Sequence, residues 1–281
     1  VTEAKRPKIY RGSLAGLTLK MNEARGIDLS HYRSAYLERR VSARVRALEL
    51  HSFRQYIDYL DEHPGEYAEL LDALTINVTD FFRDKSVWDT IRRKAVMPML
   101  EHKKEARGRT IRIWSAGCAT GEEPYSLAML MLDVLGTKAS DFILSVTATD
   151  LDDEALRRAR AGIYDNEKLK GIPPSYQVRF TRKADESSFQ VAPEVRGLVR
   201  FSQANLSDAP PMRMIDLLLC RNVFIYLDRD QQAKVLDMFW DALTKGGFLV
   251  LGRSEKLSPE MAEALLHIDG RERVYRKPLV L

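Results

Sequence analysis

The run TIRIWSAGCATGEEPYSLAMLMLDVLGTKASDFILSVTATD, residues 110–150, reads as strand, tight turn, helix and second strand in succession. Residues 111–116 are largely apolar, with β-branched isoleucines, and the run stops at Gly117. A turn bounded by Gly117 and Gly121 follows, and from Pro124 to Leu135 apolar residues recur in a helical pattern. Glycines at a strand end let the backbone turn sharply and let a ligand approach it closely, which is how a nucleotide-binding βαβ unit opens. The second strand, residues 142–149, delivers an acid, Asp150, at its tip. A carboxylate there stands where a ribose diol needs an acceptor.

A dinucleotide site calls for Gly-x-Gly-x-x-Gly, whose middle glycine clears the pyrophosphate, and that position holds Ala119 here. Glu122 and Glu123 then open the helix. Two carboxylates at a helix N-terminus occupy the positive end of the dipole and repel phosphate, which disfavours NAD and ATP. A ligand with an adenosine ribose and a cationic tail suits the turn better. S-adenosylmethionine, with its sulfonium and ammonium, is such a ligand.

With 281 residues, 45% hydrophobic and 30% charged, the chain can bury a large core and accommodates two domains. The net charge of +4 permits an acidic protein partner or nucleic acid and requires neither. Cys118 and Cys220 lie far apart with no other ligand types at metal spacing, so neither a disulfide scaffold nor a metal site is expected. VTEAKRPKIYRGSLAG does not read as a signal peptide, and no apolar run approaches membrane-spanning length. A cytoplasmic setting without membrane insertion is the expectation.

From Leu14 to about Leu74 the pattern is helical, broken at Gly26 and at His63-Pro64-Gly65. An amphipathic helix is predicted over Asp28–Leu50, capped by Asp28 or Ser30, with Tyr36, Leu37, Val41, Val45 and Leu48 toward a small core. Arg33, Arg39, Arg40, Arg44 and Arg46 fall largely elsewhere, and Arg33, Arg40 and Arg44 line one face. Such a row reads either as a solvated surface or as a docking surface for an acidic partner. Helices over Ser52–Asp61 and Glu66–Leu74 complete an all-helical unit. The segment TINVTDFFRD, residues 75–84, sets Asn77, Thr79 and Arg83 among Ile76, Val78, Phe81 and Phe82. On composition alone Phe81 and Phe82 anchor a linker and Arg83 reaches solvent. The division expected is a helical domain with linker over 1–84 and an α/β domain over 85–281.

Past Asp150, Asp152–Ala161 reads as a second crossover helix, with acids in its first turn and arginines in its last. Strand-like runs at Gln177–Arg182, Ser187–Val191 and Leu198–Phe201 suggest a small antiparallel insert over about 175–201. Asn205 and Leu206 follow at a strand end, and Met214–Cys220 is apolar enough for a central parallel strand. That strand delivers Arg221, Asn222 and, further on, Tyr226 to the carboxyl edge of the sheet, where ligands bind in this architecture. A helix to Thr244 ended by Gly246-Gly247, a strand at Phe248–Gly252, a helix near Pro259–Leu266 and an antiparallel strand at Arg273–Arg276 complete the pattern. The fold class expected is α/β and Rossmann-like, a mostly parallel sheet of about seven strands with helices on both faces.

SAGCATGEEPYS, ATDLD, ARAGIY, CRNVFIYLD, KGGFLVLGRSE and, upstream, TINVTDFFRD occur between residues 75 and 255, within a match that runs in order from about residue 30 to the C-terminus. Together they resemble the chemotaxis receptor methyltransferases, the CheR family. The resemblance implies a class I S-adenosylmethionine-dependent methyltransferase domain with an inserted β-subdomain and an all-helical N-terminal domain. It implies O-methylation of glutamates on methyl-accepting chemoreceptors, with S-adenosylhomocysteine as coproduct. Carried onto this chain, it places Asn77, Thr79 and Arg83 over the cofactor, Glu123 near its methionine end, and Asp150 at the ribose. Asn205 and Leu206 fall on the adenine side, Cys220, Arg221 and Asn222 on the pocket floor, and Arg83 with Tyr226 nearest the transferred methyl. The arginine row then acquires a glutamate-rich receptor helix as partner.

Some members grip a receptor C-terminal pentapeptide through a glycine-containing loop; here Arg182–Val191 has no glycine and is shorter, so pentapeptide independence is expected. A nucleic-acid methyltransferase would carry Asp/Asn-Pro-Pro-aromatic or Pro-Cys after the fourth strand, where this chain has Cys220-Arg221-Asn222-Val223. Nucleic acid is therefore not expected as a partner. A binding module without activity would be expected to have lost Arg83, Asp150 or Tyr226, and all are present.

Overall fold

A computed structural model of the chain describes residues 12–30, 32–74, 79–206 and 208–279. They form two compact units. One is helical and takes in the described residues up to Leu74 together with Tyr226–Asp228; the other runs from Thr79 to Ile225 and from Arg229 onward.

The helical unit contains α1 (Leu14–Arg25), α2 (Ser34–Ala47), α3 (Phe53–Glu62) and α4 (Glu66–Leu74). Ser13 and Ser52 cap α1 and α3 with their hydroxyls, and Gly26, at φ 68°, closes α1 in the left-handed conformation that favours glycine. The helix predicted from Asp28 begins later, at Ser34, because the Asp28 carboxylate accepts the Ser30 amide (2.8 Å) and keeps the chain turning. Tyr36, Leu37, Val41 and Val45 of α2 are buried, as are Tyr56, Ile57, Leu60 and Leu70 of α3 and α4.

The larger unit opens with α5 (Lys85–Thr90) and α6 (Met97–Glu105), joined by a π-helical stretch, Ile91–Val96. Then come β1 (Thr110–Ala116), α7 (Glu122–Leu135), β2 (Ile143–Asp150), α8 (Asp153–Ala161), β3 (Ile163–Asp165), α9 (Pro174–Phe180), β4 (Thr181–Lys183), β5 (Ser188–Val191), α10 (Pro193–Arg196) and β6 (Val199–Gln203). The chain closes with β7 (Ile215–Cys220), α11 (Arg229–Ala242), β8 (Leu243–Leu251), α12 (Pro259–Ala264), β9 (Leu266–Asp269) and β10 (Val274–Arg276). The main sheet has seven strands in the order β6-β2-β1-β7-β8-β10-β9. Pairing is parallel from β6 to β8 and antiparallel from β8 through β10 to β9. Every residue of β7 is buried, as a strand covered on both faces requires. The chain runs outward from β1 to β2 and β6, then returns to β7 on the other side of β1, so the strand order reverses between β1 and β7. A ligand crevice forms at the carboxyl ends of the strands at such a switch point.

The antiparallel insert is present but drawn from different residues. Its strands are β3, β5 and β4, in that order. Gln177–Phe180, expected as strand, belongs to α9, whose start is fixed by Pro174 within its first turn. The run expected at Leu198–Phe201 is β6, the edge strand of the main sheet, paired with β2. The helix expected to Leu266 stops at Ala264 and gives way to β9, and Gly246-Gly247 lies inside β8.

The Asp80–Asp84 turn, grouped with the helical domain on sequence, lies in the larger unit. Phe81 and Phe82, 1% and 6% exposed, sit in that unit's core. Burying two such rings, at roughly 1.5–3 kcal/mol each, draws the turn along with them. Among the described residues no helix is long and apolar enough to cross a membrane.

Candidate active site

The crevice at the switch point is built from the ends of β1, β2, β6 and β7. After β1 the chain turns through Gly117 (φ 75°), Ala119 (φ 47°) and Gly121 (φ 95°). The amides of Gly117 and Cys118 donate to the Thr149 carbonyl of β2 at 2.8 and 3.0 Å, so the turn is stapled to the neighbouring strand. A Cβ on Gly121 would stand 2.8 Å from that of Ala159, and the missing side chain lets α8 pack close. At the tip of β2, Asp150 accepts the Ala119 amide (2.7 Å) on one oxygen and the Asp152 amide (3.0 Å) on the other. The Leu151 amide also turns to this carboxylate, whose about four lone-pair sites leave room for a hydroxyl. Burial pushes this carboxyl above its ordinary value, opposed by those amides.

Glu123, in the first turn of α7, accepts from the Ser115 hydroxyl at 2.8 Å and pairs with Arg221 at 3.3 Å. Burial pushes its carboxyl up, while the Arg221 charge and, more weakly, the Arg83 charge pull it down. Arg221 has a side chain only 2% exposed, and it also pairs with Asp84 (2.8 Å) and donates to the Arg83 carbonyl (3.2 Å). Trp88 donates its indole N–H to that carbonyl at 2.9 Å. Phe82 and Asp84 take left-handed φ of 50° and 60°, strain that this web of contacts holds in place. The Phe82 amide is fixed by the Ser126 hydroxyl at 3.0 Å. The turn bearing Arg83 is thus a moored part of the crevice wall.

From β7 the chain passes Cys220, whose side chain is buried with its thiol pushed well up by burial, to Arg221 and Asn222. Asn222 is left-handed at φ 63°. Glu255, 3% exposed, gathers the amides around it, accepting from Phe224 at 2.8 Å and Gly252 at 2.5 Å. The Asn222 and Val223 amides also turn to this carboxylate. Beyond β6, the Ala204 amide donates to the Asp150 carbonyl at 3.0 Å, which brings Asn205 and Leu206 beside the tip of β2.

The larger unit therefore brings together Arg83, Gly117, Gly121, Glu123, Asp150, Asn205, Leu206, Cys220, Arg221 and Asn222, with Thr79 at the start of the moored turn. Asn77 lies outside the described residues. Tyr226 belongs to the helical unit, where its carbonyl accepts the Arg33 amide (2.9 Å) and its ring lies 4.9 Å from that of Tyr36. Arg33 Nε donates to the Leu227 carbonyl at 2.9 Å, and Arg39 and Arg40 stand 5.8 and 5.7 Å from the Tyr36 ring centre. Arg44 is engaged internally: it grips Glu66 at 2.6 and 2.8 Å and reaches Glu69 at 3.4 Å, tying α2 to α4. Of the row, Arg33, Arg39 and Arg46 are exposed, and Arg40 and Arg44 are half-buried. Two residues outside the candidate set read from sequence hold the site in shape, Glu255 and Lys168: Glu255 closes the KGGFLVLGRSE run but reaches across to Phe224 in the turn after β7, whereas Lys168 lies in none of the quoted motifs and meets Asp80 and Glu122 far from it in sequence.

Two half-buried acids, Glu123 and Asp150, stand at the ends of β1 and β2, and a third, Glu122, is buried at the start of α7. This donor set fits a ribose diol and a cationic sulfonium and ammonium, and does not fit a pyrophosphate. Residues 77–274 match the model of the CheR methyltransferase SAM binding domain, and residues 17–75 that of the CheR methyltransferase all-alpha domain. The chain is 35% identical to "Chemotaxis protein methyltransferase 2" of Pseudomonas aeruginosa, over 82% of this chain and 81% of that protein. It is 34% identical to "Chemotaxis protein methyltransferase" of Escherichia coli, over 83% and 80% of the two chains. With the protein of the same name from Borreliella burgdorferi the identity is 31%, over 83% of each. Sheet order, acidic crevice and these matches agree: the chain belongs to the CheR methyltransferase family, with an all-helical domain followed by a domain that binds S-adenosylmethionine.

Proposed function

We propose that the chain transfers the methyl group of S-adenosylmethionine to glutamate side chains in the helical bundles of methyl-accepting chemoreceptors, giving glutamyl methyl esters and S-adenosylhomocysteine. The names of its relatives support a role in chemotaxis. The observation that carries the substrate class is Arg83, presented on a turn that Arg221 and Trp88 moor through its carbonyl. When bound, S-adenosylmethionine supplies a methyl on a sulfonium, an electrophile that a carboxylate oxygen can take without any proton changing hands. Glutamate, with a pKa near ~4.3, is already ionised at neutral pH, so the site needs alignment and exclusion of water rather than a general base. Arg83 aligns the incoming carboxylate in a forked hydrogen bond, and Tyr226 is its partner in orientation. An arginine that gripped the carboxylate harder in the ground state than in the transition state would slow transfer.

In this reading Asp150 accepts the ribose hydroxyls, and Asn205 and Leu206 flank the adenine. Gly117 and Gly121 allow close approach, and Glu123 answers the cationic end. Asn77, Thr79 and Arg83 cover the cofactor while Cys220, Arg221 and Asn222 form the floor. Arg33, Arg39, Arg40 and Arg46 meet the acidic receptor helix; Arg44 contributes by holding α2 in place. Docking proceeds without a receptor pentapeptide, in the cytoplasm.

The test is transfer of labelled methyl from S-adenosylmethionine to a chemoreceptor cytoplasmic fragment, with Arg83→Ala alongside. Base-labile label on receptor glutamates is expected from the wild type. Arg83→Ala should bind S-adenosylhomocysteine within about threefold of wild type and lose roughly 100-fold or more in transfer, since the carbonyl that moors the turn is kept. Label on nucleic acid, or undiminished transfer by Arg83→Ala, would sink the reading.

A further inference from the structure

We infer that Lys168 is a positioning residue for the cofactor: it moors the front of the Thr79–Asp84 turn to helix α7 and so sets how tightly S-adenosylmethionine and its product are held. The inference rests on the placement of Thr79 and Arg83 at the cofactor proposed above.

Lys168 sits in a short 3-10 turn, Asn166–Gly171, between β3 and α9. An ammonium has three protons to give, and all find acceptors here. One goes to the Thr79 carbonyl, one to the Asp80 carboxylate at 2.7 Å, and one toward Glu122 at 3.3 Å. Glu122 is 1% exposed, and its other oxygen takes the Thr120 hydroxyl at 2.7 Å. One side chain therefore ties the start of the Arg83 turn to the junction between the turn after β1 and α7, two segments that lie far apart in sequence.

The surroundings form a seat for the same turn. A Cβ on Gly171 would stand 2.5 Å from the Phe81 carbonyl oxygen, so only glycine lets the backbones approach this closely. The Tyr164 hydroxyl donates to the Thr120 carbonyl at 2.7 Å, and its ring meets Phe81 edge-on at 4.9 Å between centres. Arg221 holds the rear of the turn through the Arg83 carbonyl and Asp84. Arg221 is among the candidate binding residues, whereas Lys168, at the start of the turn, is not. With both moorings made, the turn is ordered before the cofactor arrives, and binding does not have to fix its backbone. Without Lys168 that ordering falls on the binding step.

Four variants test this: Lys168→Met, Lys168→Arg, Glu122→Gln and the double variant Lys168→Met/Glu122→Gln. Each is followed by calorimetric titration with S-adenosylhomocysteine, thermal unfolding, and amide hydrogen exchange over Thr79–Arg83 in the ligand-free protein. Lys168→Met should weaken S-adenosylhomocysteine binding about tenfold or more and speed exchange in the turn, raising KM for S-adenosylmethionine with kcat at saturation within about twofold. Lys168→Arg should recover most of the affinity. The double variant removes the buried unpaired carboxylate, so it should regain thermal stability while affinity stays low and exchange fast. If the double variant regains affinity together with stability, Lys168 only balances the Glu122 charge and the inference fails. Affinity of Lys168→Met within twofold of wild type overturns it as well. A wild type that binds S-adenosylhomocysteine yet labels no receptor glutamate would remove the proposed substrate and leave the role of Lys168 standing.

Discussion

Two turns lie side by side at the carboxyl edge of the sheet, one after β1 and one after β7, and they are stabilised in opposite ways. The turn after β1 carries its instructions within itself: glycines stand at its two most left-handed positions, Gly117 and Gly121, and its amides reach the adjacent strand directly. The turn after β7 has no glycine. Asn222 adopts φ 63° there because a carboxylate from beyond β8, Glu255, collects the amides of Asn222, Val223, Phe224 and Gly252. The first turn is coded locally and the second from a distance. Neighbouring loops of equal importance to one site can therefore differ entirely in how visible they are in sequence, and in which substitution destroys them.

The largest effect should come from removing the distant support. Glu255→Ala leaves buried amides without an acceptor, and an unsatisfied buried group costs about 1–3 kcal/mol each before any relaxation. A net loss of about 3 kcal/mol is expected, or roughly 6–12 °C in Tm for a domain of this size. Binding of S-adenosylhomocysteine should fall with it, because Asn222 loses its fixed conformation. Glu255→Gln keeps one carbonyl acceptor and should lie between. A Tm for Glu255→Ala within about 1 °C of wild type would mean that the β7 turn holds itself, and the contrast between the turns would collapse.

The local turn should break less severely. In Gly117→Ala the new Cβ enters a left-handed position, at about 1–2 kcal/mol, and collides with the Val223 side chain of the neighbouring turn. Weaker S-adenosylhomocysteine binding, by about tenfold, and a fall of a few degrees in Tm are expected. Combining it with Val223→Ala, measured against Val223→Ala alone, should relieve the collision and leave the backbone strain, recovering about half of the loss. Full recovery would show that the left-handed conformation costs little here; no recovery would show that the two turns are not in steric register.

The same division between local and distant coding runs through what could be read from the chain. The β1–turn–α7 unit, the acid at the end of β2 and the apolar β7 are legible because periodicity, glycine and strand-end acids act within a few residues. The insert was legible in kind but not in residues: Gln177–Phe180 is helical once Pro174 starts a turn, and Val199–Gln203 joins the main sheet because β2 has a free edge, a fact of topology rather than of composition. Phe81 and Phe82 were readable as anchors, yet which unit they anchor to was not. Glu255 was readable only as the last residue of KGGFLVLGRSE, with nothing in that run to say that it serves the turn after β7, and Lys168 was invisible, since a lone Lys between elements shows no pattern until the fold brings its partners around it.

The smallest effect belongs to the helical unit, where the arginine row gives a third case. Arg44 reads on sequence as one more exposed cation of α2, and its partner Glu66 lies on another helix, with the Tyr56 hydroxyl on the same carboxylate at 2.7 Å. Burial raises the Glu66 carboxyl, but the hydrogen bonds from Arg44 and Tyr56 outweigh it and hold the group below its ordinary 4.5. A carboxyl more acidic folded than unfolded contributes stability that is complete above the unfolded value and is lost as pH falls through the folded one. His63 and Glu69 are the other titratable groups beside this cluster, His63 acting on Glu66 and Glu69 on Arg44. Urea unfolding of the full chain between roughly pH 6 and pH 3 should therefore show stability declining toward acid, and less steeply in Glu66→Gln than in wild type. Because Arg44 keeps 24% of its side chain exposed, the difference should shrink at high salt. Identical slopes for wild type and Glu66→Gln would place the acid sensitivity elsewhere in the chain.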